Sequence, residues 1–200
     1  MKYIVGIDEV GRGPLAGPVA VGTVCILGDI SPKLKKLFPD ARDSKKLSAT
    51  KREEIFKKIK QAQMNDILRY IVRYENNKII DKKGISFAIK SCIKKCLKDL
   101  EIKPKETQVF LDGGLKAPKE LTFQKTIIGG DDKKLVISLA SIVAKVSRDA
   151  MMCRLAKQFP KYGLEIHKGY GTLKHRQAIR KNGLTKIHRK TFCKNIDFDG

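Results

Sequence analysis

The sequence predicts an α/β protein: a five-stranded mixed sheet flanked by helices, with a small basic helical part at the C-terminus. Three observations carry this. Short apolar, β-branched runs recur at residues 3–7, 19–27, 67–74, 108–112 and 122–128. Longer stretches of helical period lie between or after them, over 48–63, 81–100 and 133–159. Two of the strands also end alike, in an acid followed by glycines, with Asp8 and Glu9 before Gly11 and Asp112 before Gly113. Parallel neighbours ending alike would bring Asp8 and Asp112 together at the carboxyl edge of the sheet, where open α/β sheets bind ligands.

The first strand runs into a loop because Gly11, Gly13, Pro14, Gly17 and Pro18 suit neither a helix nor a ladder. Taken alone, Asp8 and Glu9 are most often solvated turn acids. A dinucleotide loop is the second reading, since Gly11-Arg12-Gly13-Pro14-Leu15-Ala16 fits a relaxed glycine pattern. It lacks the helix that would hold a pyrophosphate, because two prolines and the second strand follow instead. The third reading is a metal site, hard carboxylates beside a glycine loop where a polyanion can approach the backbone.

Residues 31–40 read as a short, partly helical link. In Asp43-Ser44-Lys45-Lys46-Leu47-Ser48, the last residue is a good N-cap for a helix to about residue 63, with Ile55, Ile59 and Ala62 on one face. Lys45 and Lys46 are either a solvated turn or phosphate contacts. The helix over 81–100 carries Ile85, Ile89, Cys92, Ile93, Cys96, Leu97 and Leu100 toward the sheet. Asp112 with Gly113 and Gly114 reads by itself as an Asp-Gly turn. Asp131 or Asp132 is expected to cap the helix over 133–159. Ala140 and Ala144 give that helix a close-packing face, while Ser141, Lys145 and Asp149 form a polar stripe, ordinarily a solvated one. Thr172 opens a last helix, which Gly183 stops.

These stretches resemble one family. Residues Asp8-Glu9-Val10-Gly11-Arg12-Gly13-Pro14-Leu15-Ala16-Gly17-Pro18 look like the opening signature of ribonuclease HII. Asp43 to Ser48 resembles its second motif, and residues 140–149 its helix block. Lys168-Gly169-Tyr170-Gly171-Thr172 and the closing His188-Arg189-Lys190-Thr191-Phe192 resemble two more. The resemblance covers residues 3–192 and implies the ribonuclease H-like fold, with the first three strands antiparallel and the last two parallel to the first. It implies a catalytic core over 1–153 and a basic segment over 154–200, packed as one structural domain. It also implies four metal-binding catalytic carboxylates, Asp8, Glu9, Asp112 and Asp149. Two Mg²⁺ or Mn²⁺ ions would neutralise them, since oxygen-only ligands favour these over zinc. Substrate contacts are expected from Gly11, Arg12, Gly13, Ser44, Lys45, Lys46, Ser141, Lys145 and Tyr170. Departures from the family pattern are Gly84, Asp132, Lys134, Leu139 and Gly171.

Composition agrees with such a partner. There are 43 Lys and Arg against 21 Asp and Glu, a formal net charge of +22, which attracts nucleic acid or an anionic membrane. No apolar run approaches the ~18 residues of a membrane span, and Met1-Lys2-Tyr3 leads straight into the first strand, so no signal peptide is expected. Residues 145–194 hold fourteen Lys and Arg and two acids, together with His167, His175 and His188. His175 is a candidate for a polar role near the site. Five cysteines without metal spacing read as structural thiols of a cytoplasmic protein. The expected substrates are RNA/DNA hybrids and ribonucleotide-containing duplex DNA, the expected state a monomer. The rivals are a non-catalytic nucleic-acid-binding protein, and another nuclease of the same fold acting on branched DNA.

Overall fold

A computed structural model describes residues 1–28, 31–41 and 47–196 of the chain. Strands β1 (Tyr3–Val10), β2 (Val19–Leu27), β3 (Leu68–Glu75), β4 (Thr107–Asp112) and β5 (Gln124–Ile127) form one sheet in the order β3-β2-β1-β4-β5. The first three are antiparallel, and β4 and β5 run parallel to β1, as the family resemblance implies.

Alternation along β1 sorts its side chains into two layers. Val5 and Ile7 pack with Ala88, Ile89, Cys92, Ile93, Cys96 and Leu97 of α4 (Ile85–Asp99). Ile4 faces the opposite layer, built by α6 (Leu135–Gln158), by Leu34 of the short helix α1 (Ser31–Leu37) and by Ile55, Ile59 and Ala62 of α2 (Ala49–Met64). Two glycines set how near α6 comes. A Cβ at Gly6 would stand 2.2 Å from the Val136 carbonyl oxygen, and one at Gly22 would stand 2.3 Å from that of Ala140. Any side chain there would drive the helix off the sheet. Leu139, one of the departures from the family pattern, is fully buried in the same layer.

Helix and strand ends differ from expectation where local backbone chemistry intervenes. The single helix over 81–100 is two, α3 (Asn77–Lys83) and α4, because Gly84 sits at φ 83°, outside helical space. Asn76 starts α3 by accepting from the Ile79 N–H at 3.0 Å. A one-turn helix α5 (Gly130–Lys133) precedes α6, and its N-cap is Gly129, not an aspartate. The caps of α5 and α6 make no side-chain hydrogen bond. Strand β5 is shorter than 122–128, because β4 offers it only Val109 to Asp112 as partners. Ser48 caps α2, accepting from the Lys51 N–H at 3.1 Å.

A third cluster joins the C-terminal part to the glycine loop. Leu15 and Ala16 pack with Met152, Ala156, Tyr162, Leu164, Ile179 and Cys193. The chain passes residue 153 inside α6, which continues to Gln158, then forms α7 (Leu164–His167) and α8 (Leu173–Asn182). Among the described residues no helix is long and apolar enough to cross a membrane.

Candidate active site

The parallel register of β1 and β4 builds the site. Ile7 pairs with Leu111, so the next residues, Asp8 and Asp112, lie abreast where the pairing of β1 with β4 ends. Both are buried, Asp8 to 4% and Asp112 to 8% exposure. Asp8 Oδ1 accepts from the Glu9 N–H at 2.8 Å, and Ser141 of α6 hydrogen-bonds the same carboxyl. Asp112 Oδ1 accepts from the Gly130 N–H at 2.7 Å. Glu9 Oε1 lies 3.2 Å from the Arg12 guanidinium.

Burial pushes the Asp8 carboxyl up to about 8. The charges of Glu9 and Asp112 push the same way, against the Ser141 hydroxyl and the Glu9 N–H, which lower it. A carboxyl held protonated by burial and by neighbouring acids ionises on gaining a cation, which suits a metal site. The donors are all oxygens, which suits hard divalent ions. Among the described residues, no group of three or more His, Cys, Asp and Glu is already gathered closely enough to hold a metal.

These acids open into a cleft of about 460 Å³ lined by Asp8, Glu9, Gly11, Arg12, Gly13, Asp112, Ser141, Lys145 and Tyr170. Nine predicted site residues are thus brought together. Ser44, Lys45 and Lys46 lie outside the described residues. Asp149 is placed elsewhere. It follows Ser141 by eight residues, about 12 Å along the helix axis, and its carboxylate pairs with Lys145 at 3.0 Å. It lines a neighbouring depression with Lys57, Lys60, Cys153 and Lys168. The acid that follows Gly130, and so lies next in the chain to the Asp112 contact, is Asp131, buried to 1% exposure.

Sequence reasoning passed over three arginines. Arg52 of α2 lines both the cleft and the neighbouring depression, and its position four residues after the Ser48 cap was the available signal. Arg148 and Arg189 are fully buried beneath the glycine loop; the sequence shows them as members of two family motifs and of a basic segment, with no sign that they face inward. His175 is not in the cleft. It stacks on His167 with ring centroids 4.3 Å apart, and its Nε2 lies 3.2 Å from His188 Nε2. Its Nδ1 faces the Tyr170 carbonyl at 2.9 Å, so it supports Tyr170 from below.

Comparison with known proteins agrees with this layout. The sequence profile described as Ribonuclease HII matches residues 5–195. A ribonuclease HII of Endomicrobium trichonymphae is 44% identical over 190 residues, 94% of this chain and 84% of the relative. That of Clostridioides difficile is 42% identical over 194 residues, 97% of this chain and 71% of the relative. Among solved structures, the PCNA:RNase HII complex from Archaeoglobus fulgidus holds a chain with TM-score 0.73 at 25% identity, covering 94% of this chain and 93% of that one. The buried carboxylates where β1 and β4 stop pairing, the glycine loop beside them and the match along nearly the whole sequence make this chain a member of the ribonuclease HII family.

Proposed function

We propose that this protein cuts the phosphodiester on the 5′ side of ribonucleotides, in RNA/DNA hybrids and at single ribonucleotides embedded in duplex DNA, leaving 5′-phosphate and 3′-hydroxyl ends. Family membership gives the coarser activity, that of a metal-dependent ribonuclease H endonuclease. The observation that carries the finer reading is one cleft holding buried carboxylates, a glycine loop and Tyr170 together. The acids serve hydrolysis, and the loop and the aromatic serve recognition of sugars.

Asp8, Glu9 and Asp112 would hold divalent cations, Mg²⁺ or Mn²⁺. We take Asp131 as the fourth carboxylate in preference to Asp149, on its burial and its place beside the Gly130 contact to Asp112. Two such ions, when bound, supply charge neutralisation at the phosphate and an activated water. The chain's own groups do the rest. Lys145 and Arg52, both in the cleft wall, draw the phosphate toward the acids. Ser141 keeps the Asp8 carboxyl oriented through its hydrogen bond. Gly11 and Gly13, without side chains, allow the backbone to approach the ribose, whose 2′-hydroxyl both donates and accepts. Tyr170, 39% exposed beside the loop, stacks on the sugar that follows.

End analysis tests the reading. Duplex DNA carrying one ribonucleotide should give a 5′-phosphate on the ribonucleotide-containing fragment and a 3′-hydroxyl on the other. A cyclic phosphate, or a cut on the 3′ side of the ribose, would overturn it. Cleavage of a ribose-free branched DNA at comparable rate would favour the branched-DNA nuclease instead.

A further inference from the structure

The glycine loop is held from beneath by two buried guanidinium groups. Arg189 reaches it with its whole fork. Nη2 donates to the Gly11 carbonyl at 2.7 Å, Nη1 to the Arg12 carbonyl at 3.0 Å and Nε to the Gly17 carbonyl at 3.0 Å. Arg148 does the same from the other side, donating to the carbonyls of Pro18 at 2.9 Å, Lys168 at 3.1 Å and Ala16 at 3.4 Å. Neither is ion-paired to a carboxylate among the described residues, and both are fully buried. Burial holds Arg148 below its ordinary value and brings Arg189 down to about 9, with Arg148 adding to the latter. Burying a cation whose hydrogen bonds all go to neutral carbonyls is costly, even with Asp81 near Arg189, Asp149 near Arg148, and the Phe192 and Tyr170 rings against them, so its geometry has to serve a purpose that a neutral or apolar residue would not.

That purpose follows from the planarity of the peptide. In a trans peptide the carbonyl of one residue and the N–H of the next point in opposite directions. With the Gly11 and Arg12 carbonyls turned down onto Arg189, the N–H groups of Arg12 and Gly13 turn away from it. Arg12 and Gly13 are exposed and line the cleft. Among the described residues neither N–H makes a hydrogen bond within the protein. Consecutive outward N–H groups form a concavity for an oxygen atom.

We infer that Arg189 is the positioning residue of the ribose-reading loop, fixing the Arg12 and Gly13 N–H groups toward the 2′-oxygen of the substrate. The inference rests on the ribonucleotide specificity proposed above. A strap delivers Arg189 to its place. Asn77 of α3 donates to the carbonyls of Lys186 at 3.0 Å and His188 at 2.9 Å. Asp81 accepts from the N–H groups of Lys190 and Thr191, each at 3.0 Å. The Gly17 N–H bonds the Ile187 carbonyl at 2.9 Å, and the Arg189 N–H bonds the Leu15 carbonyl at 2.7 Å. Helix α3 thus grips the strap from outside while Arg189 grips the loop from within. Ordinary packing needs only that the strap be anchored; orientation of the N–H pair needs the guanidinium fork.

The test is binding, measured with Ca²⁺ in place of the catalytic cation and with absence of cleavage verified. Affinities are compared for a duplex with one ribonucleotide and for the same duplex in DNA alone. Wild-type protein should prefer the ribonucleotide. Arg189→Gln should lose about tenfold of that preference, the worth of one or two hydrogen bonds, with affinity for the DNA duplex unchanged. Asn77→Ala, which loosens the strap without touching the loop, should lose part of it. An Arg189→Gln protein that keeps the full preference, or loses affinity for both duplexes equally, overturns the inference. If Arg189→Gln does not fold, Asn77→Ala decides: reduced preference supports the inference and full preference overturns it. Absence of preference in the wild type would instead sink the ribonucleotide specificity itself.

Discussion

Asp8 is buried between two other acids and against a hydroxyl, and that is a charge problem with a measurable consequence. A cation must displace its proton, so apparent affinity for Mn²⁺ should rise with pH toward about 8. Calorimetric titration at several pH values checks this, and Asp8→Asn should abolish the dependence. The same substitution should reduce turnover about a thousandfold, the several kcal/mol that metal charge stabilisation supplies, with little change in melting temperature. Asp131→Asn should act like Asp8→Asn, whereas Asp149→Asn should cost far less, because its carboxylate lines a different depression and reaches the cleft only through its pairing with Lys145. Equal losses from the two substitutions would return Asp149 to the site. The sequence made Asp8, Glu9 and Asp112 legible because a strand end, a glycine and parallel pairing together fix where they point. Asp131, proposed above as the fourth carboxylate, reads in the sequence as a helix cap, and its burial comes from a one-turn helix that no periodicity announces.

Among the elements, α6 matters most, because it carries Ser141 to Asp8 and Lys145 to the cleft. Its closeness depends on Gly22, where an added Cβ would stand 2.3 Å from the Ala140 oxygen. Gly22→Ala should therefore destabilise by about 1–3 kcal/mol and slow cleavage in the fraction that stays folded, by moving Ser141 off Asp8. Thermal melts with single-turnover rates separate the two effects. The histidine relay is a second element-scale case. The Thr185 N–H donates to His188 Nδ1, so His188 Nε2 carries the proton and donates to His175 Nε2, while His175 Nδ1 donates to the Tyr170 carbonyl. Burial brings both His175 and His188 down to about 4, and each also feels a neighbouring imidazole. A neutral pair in the fold and a protonated pair in the unfolded chain make stability full above about 6.5 and falling as pH drops toward 4. His188→Gln should flatten that part of the melting-temperature profile. The strands and the long helices were legible from their periodicity. The break at Gly84 was not, because the apolar face of α4 continues across it and only the backbone angle separates the two helices.

At the scale of the whole molecule, charge and cleft together specify a nucleic-acid enzyme. The net charge of +22 and the basic run after Lys145 predict an affinity that falls linearly with the logarithm of salt, with slope about −0.9 per phosphate contact. Removing the exposed Lys157 and Lys161 together should make that slope shallower if they meet phosphate, and leave it unchanged if they do not. The same basic run was legible as an electrostatic surface, yet its two most consequential members, Arg148 and Arg189, point inward and hold the loop. Composition counts charges without saying which face water. On the function proposed above, this cleft uses divalent cations to cut where a ribose interrupts duplex DNA. The measurement that tests it most directly is cleavage of a duplex containing one ribonucleotide beside the same duplex in DNA alone, each with Mn²⁺ and with chelator. One cut is expected, at the ribonucleotide, only with the metal. Cleavage of the all-DNA duplex at a similar rate, or cleavage that survives the chelator, would contradict it.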